Sequence, residues 1–192
     1  MTHPAPYTSR VSVPLPSDEA FQTIAGDGFD PATTLNVFKM FSGTEEMWEG
    51  IIGLVKAVFQ DPSQGVEEKT RELIVLRTAK LLNAPYGWFT NVKMATNAGL
   101  ASEEIEAAAS EGPVTGIDPE LVLVCKATDE LTINGTLQDE TLSTLLTRYG
   151  DKNCRKIILV ISFFNLVMRY VNGCRVPLEV IDKVETRKSP LR

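Results

Sequence analysis

Across the 192 residues no stretch alternates apolar and polar side chains with period two between turn signals, whereas apolar residues return at helical spacing in segment after segment. Such a chain has helix faces to bury and no sheet to build, so its fold class is all-α. Leu35, Phe38, Met40 and Phe41 make the first face, in a helix predicted to start at Pro31 with Asp30 as N-cap. Residues 45–59 make the second, after Thr44, and the loop QDPSQG follows it. Residues 67–82 are helical and nearly apolar all round apart from their charges, and another helix runs from Tyr86 to Ala98, stopped by Gly99. Ser102 is the predicted cap of an acidic-first helix, Asp118-Pro119 opens the next, and Asp139 and Asp151 are read as caps of the last two. This gives seven or eight helices in one domain, residues 31–182. Residues 1–30, with Pro4, Pro6, Pro14, Pro16, Gly26 and Gly28, are an expected extended arm, and residues 183–192 an expected frayed tail.

The composition excludes several functions. A net charge of −6 and a pI near 4.9, with no basic cluster beyond RKSPLR, leave no surface for nucleic acid or an anionic membrane. The most apolar run, Ile157 to Met168, is shorter than the ~20 residues a bilayer span needs and is read as a buried core helix. Three cysteines without CxxC spacing form neither a disulfide framework nor a zinc site, which points to a reducing cytosol. The one histidine, His3, sits in the Pro-rich arm, so no imidazole is expected at a buried site as base, relay or metal ligand. No metal and no cofactor are expected.

The stretch KTRELIVLRTAKLLNAPYGWFTNVKMATNAGLASEEIEA, with LNVFKMF before it and LVLVCKATDELTINGTLQDETLSTL and ILVISFFNLVMRYVNGCRVPLE after it, resembles the carboxymuconolactone decarboxylase family of alkyl hydroperoxidase D-like proteins. The resemblance spans roughly residues 11–182 and implies an all-helical domain that assembles into trimers or hexamers, with pockets near subunit contacts. The family's peroxidases carry C-x-x-C-x-x-x-H, whose positions fall here on Ala84, Gly87 and Asn91. Thiol exchange needs paired thiolates, so the chain is not expected to be a thiol peroxidase. The decarboxylase-like members carry Glu and His four residues apart on one helix face; those positions are Gly87 and Asn91.

That paired loss leaves two readings. In one, the chain is a cofactor-free lyase or cyclase-type enzyme acting on a carboxylated or lactone-bearing small molecule. Asn91 and Tyr86 then donate hydrogen bonds to a developing enolate or lactone oxygen, and Gly87 opens room for a bulky ligand. Arg71 or Arg77 anchors the substrate carboxylate, Trp88 is an apolar wall, and Phe164 and Arg169 contribute from the last helix; the alternative for Arg71, Glu72 and Arg77 is buried ion pairs that tie their helix to a neighbour. In the other, the chain is a non-catalytic oligomeric binding or scaffold protein. Arg71 and Glu72, about 100° apart on their helix, are not expected to face each other; Glu72 is expected to pair with Arg169, and Asp129 and Glu130 to be exposed.

Overall fold

The computed structural model describes residues 2–8, 11–59 and 66–191. Among these residues every regular element is helical. They are α1 (Asp18–Ala25), α2 (Asn36–Ser42), a 3-10 turn (Glu45–Met47) running into α3 (Trp48–Phe59), α4 (Glu68–Leu81), α5 (Pro85–Asn97), α6 (Ser102–Ala108), α7 (Pro119–Ile133) and α8 (Asp139–Cys174). The all-α expectation holds, with eight α-helices described. The QDPSQG loop lies outside the described residues. Gly150 breaks α8 into two rods, with φ 69° and ψ 167°, a conformation that residues with a β-carbon rarely adopt.

Helix α4 is the hub, packed by α5, α6, α7 and α8. Leu73, Ile74, Val75, Leu76 and Ala79 are fully buried, so the helix has no solvent stripe and its apolar residues go all the way round. Its charges are buried too. Arg77 forks onto Asp129 of α7 through Nε (2.6 Å) and Nη2 (2.9 Å). The same guanidinium donates to the carbonyls of Ala108, Ser110 and Gly112, so one side chain fastens α4 to α7 and to the loop after α6.

Several helix starts differ from the expected ones because their caps come from distant chain. Asp30 closes a turn on Ala32 N instead of starting a helix, and α2 begins at Asn36, where Glu179 Oε1 accepts from Asn36 N (2.6 Å) and Tyr86 Oη from Val37 N (3.1 Å). At the start of α8, Glu130 rather than Asp139 caps, accepting from Gln138 N (2.8 Å) and Thr141 Oγ1 (2.7 Å). Glu130 is therefore buried and Asp129 is Arg77's partner, contrary to the exposed pair expected. At α6, Glu104 reaches back to Ala101 N (2.8 Å), and Ser102 lies inside the helix. Asp118 caps α7 as expected.

The chain ends are tied down rather than frayed. Residues 1–30 include α1, capped by Ser17, with Phe21 fully buried and Asp18 paired with Lys39 of α2 (2.5 Å). The His3 ring stacks on Trp88, centroids 4.9 Å apart, and Tyr7 Oη donates to Asn172 Oδ1 (2.6 Å). Near the C-terminus, Asn97 Nδ2 donates to the carbonyls of Glu185 and Arg187, and Arg71 Nη2 to that of Lys188. Helix α8 is long and apolar enough to cross a membrane by length and composition alone, yet Ile157, Val160, Ile161, Phe164, Met168 and Val171 are core residues here.

Replacing Arg77 by Met would leave Asp129 and three carbonyls without their donor. The Arg77→Met variant is expected to lose about 3–5 kcal/mol of stability, measured by urea denaturation. An unchanged midpoint would show that the clamp contributes nothing.

Candidate functional site

Helix α5 aims Tyr86, Gly87, Thr90, Asn91 and Met94 in one direction, because residues one turn apart share a helix face. Opposite them stand Val37, Phe38 and Phe41 of α2, Val55 and Phe59 of α3, and Phe163, Phe164, Val167, Met168 and Val171 of α8; Pro190 covers one side. The space between atoms there is about 500 Å³ with open solvent counted, but only about 50 Å³ of it can take the centre of a water molecule. That is room for a few waters and not for a substrate, so a ligand must move a side chain to enter.

Four expected site residues, Tyr86, Gly87, Asn91 and Phe164, come together at this pocket. Gly87, however, does not open space. A Cβ built on it would overlap the Met168 sulfur and stand 2.6 Å from the Met168 methyl carbon, so the thioether fills the volume that the missing side chain vacates. Tyr86 is not a free donor either. Its hydroxyl donates to Glu179 Oε1 (2.7 Å) while accepting from Val37 N, and burial, then the Glu179 charge, push its pKa well above the usual value. Glu179 Oε2 lies 3.0 Å from Lys183 Nζ, an ion pair too far off axis for a hydrogen bond. The phenol and the carboxylate together pin α2 and the C-terminal segment to α5.

Asn91 keeps its capacity. Its Nδ2 donates to Gly87 O (2.7 Å), and its Oδ1 and second N–H have no partner among the described residues.

The remaining expectations are corrected. Trp88 points away from the pocket and carries His3. Arg77 is the α4–α7 clamp described above. Arg169 is exposed and bonds Asn165 on its own helix, so it neither reaches the pocket nor pairs with Glu72. Arg71 stands over the Phe59 ring at 4.6 Å but bonds Lys188 O and, against expectation, its chain neighbour Glu72 through Nε (3.3 Å). Long side chains bend across the angle that their Cα–Cβ bonds open.

Glu72 is the interior group whose importance the sequence did not signal. It is fully buried, its Oε2 has no hydrogen-bond partner, and burial raises its pKa to about 7 despite the opposing charge of Arg71. It stands seven residues before Ala79 and therefore on the same face of α4, the face that meets Gly87 of α5. Between pH 4.5 and 7 the folded chain keeps a proton that the unfolded chain releases, so stability is greatest below the lower value and falls as pH rises to the upper. The loss contributed by Glu72 should be on the order of 3 kcal/mol, and Glu72→Gln should flatten that part of a stability–pH curve.

Comparison with known proteins agrees with this architecture. Residues 45–130 match the model of the carboxymuconolactone decarboxylase family. No curated protein matches the chain. A crystal structure from Agrobacterium tumefaciens, of a protein of unknown function put forward as an antioxidant defence protein AhpD, is similar in fold. Its TM-score is 0.60 at 23% identity, over 73% of this chain and 97% of that one. Residues 45–130, which hold the α4–α5 motif, are thus similar to the carboxymuconolactone decarboxylase family, and the helical fold is shared with the Agrobacterium structure; this chain has Ala84, Gly87 and Asn91 where the resembled motif has its thiols, acid and imidazole.

Proposed function

We propose that the chain binds a neutral, largely apolar small molecule in the α2–α3–α5–α8 pocket and rearranges it without a cofactor, as an isomerase or cyclase. The observation that carries this reading is the pocket wall itself. It is apolar, its open polar group is the Asn91 carboxamide, and none of Arg71, Arg77 and Arg169 lines it. Decarboxylation would bring a carboxylate into this apolar space without a counter-charge, at a cost of several kcal/mol. A ring closure or double-bond shift needs shape and one oriented hydrogen bond. Glu72 does not line the pocket, so no proton transfer in this reading is assigned to it. Thiol-based peroxide reduction has little support, since no cysteine lines the pocket and burial pushes the Cys125 thiol up to about 12.

A second reading, ligand binding without turnover, is favoured by Tyr86, whose proton is committed to Glu179. Self-assembly belongs to either proposal, with the exposed Leu159 and Leu166 of α8 as apolar surface that a second copy would cover. Sedimentation at micromolar concentration should then give a mass above the 21.1 kDa of one chain.

Incubating the protein with a metabolite extract of its source and following masses separates the readings. An isomer of unchanged mass supports the proposal, a product lighter by one carbon dioxide returns decarboxylation, and a ligand retained unaltered favours binding alone. Once a turnover is in hand, Asn91→Ala should lower kcat by about 10²–10³. Its melting temperature should barely move, because the lost bond is a local one to Gly87 O. Undiminished turnover would remove Asn91 from the mechanism.

A further inference from the structure

The contact between Gly87 and Met168 bears on which ligands fit, and the inference rests on the reading of the pocket as an apolar binding site. Met168 is 1% exposed, comes from α8 and occupies the hollow that Gly87 leaves in α5, with Ala79 of α4 as the floor. A carboxylate-bearing side chain at position 87 and a thioether in this place exclude each other sterically. Among the groups around the hollow, Phe163 and Phe164 are stiff and Val167 and Val171 are branched. Met168 has an unbranched chain with three rotatable bonds and a polarizable sulfur that packs well against rings. The water-accessible space beside it is about 50 Å³, too little for a ring, whereas an apolar cavity of about 150 Å³ takes benzene. Swinging the Met168 side chain aside is the change that makes up the difference without moving a helix.

We propose that Met168 is a displaceable plug that holds the inner seat of the pocket at Gly87 and sets ligand size, admitting the end of an uncharged molecule about one aromatic ring wide. The seat is walled by apolar groups and no charged side chain lines it, so the group that enters it is hydrocarbon. The Asn91 carboxamide, one turn further along α5, is left to meet a polar atom of the same ligand.

The test uses the full chain labelled with ¹³C-methyl methionine and two probes, benzene and naphthalene. Benzene should shift the Met168 methyl resonance saturably and bind about tenfold more tightly than naphthalene. Met168→Ala should move the preference by about tenfold or more towards naphthalene. Gly87→Ala, which puts a methyl group in the seat, should weaken benzene by about tenfold, and adding Met168→Ala should restore it. Should the alanine variant fail to fold, Met168→Leu keeps the volume but not the flexibility and should still weaken benzene. The plug is overturned if the folded variants keep the wild-type ratio of the two affinities to within about twofold while the Met168 methyl stays unshifted. Failure of both rings to bind any folded variant is a different result: it removes the apolar-pocket reading and the plug with it.

Discussion

A helix surrounded on every side cannot leave its charges in water, and the rest of this structure depends on how α4 meets that constraint. Arg77 reaches α7 and three carbonyls at the end of α6 and in the loop after it; Arg71 reaches the C-terminal segment, Phe59 and Glu72. Each buried guanidinium therefore ties a remote piece of chain to the hub, because leaving a charge without partners inside would cost more than the ordering of the loops that supply them. Glu72 is the exception. It receives one weak bond and keeps an oxygen without any, and its burial raises its pKa in spite of the Arg71 charge.

The same economy governs the helix starts. The first N–H groups of α2 and α8 are met by Glu179, Tyr86 and Glu130, from segments that pack beside them late in the chain or one helix earlier. Tyr86 is thereby spent on architecture. That leaves a pocket with apolar walls, the Thr90 hydroxyl and the Asn91 carboxamide, and it turns the candidate chemistry from charge stabilisation towards fit. Gly87 belongs to the same logic. A glycine at a packed position leaves a hollow, and Met168 fills it, so the site stays packed without a side chain at position 87.

Much of the candidate site was legible at the level of faces. Tyr86, Gly87 and Asn91 follow from helical spacing on α5, and Phe164 from the apolar run of α8. Sequence left the arginines open between a substrate carboxylate and a buried ion pair, because a residue type that can fork onto the one forks equally well onto Asp129 or a backbone carbonyl, and only proximity decides which. Glu179 could be found only in three dimensions. It is one glutamate in VPLE, and its partner Tyr86 is 93 positions away.

By itself the sequence determined the helical class, the order of the helices from α2 onward and the turns that end them. Those depend on spacing, glycine and proline within a few residues of each other. It also determined that the thiols, acid and imidazole of the motif it resembles are absent at the matching positions, since that is a matter of residue identity. Tertiary structure alone decided where α2 and α8 begin, that both chain ends pack onto the domain, that Glu72 is left half-partnered, and that the space at Gly87 is occupied. Each of these turns on which distant atom stands within hydrogen-bond or van der Waals range, and such ranges of a few ångströms are set by packing and not by separation along the chain.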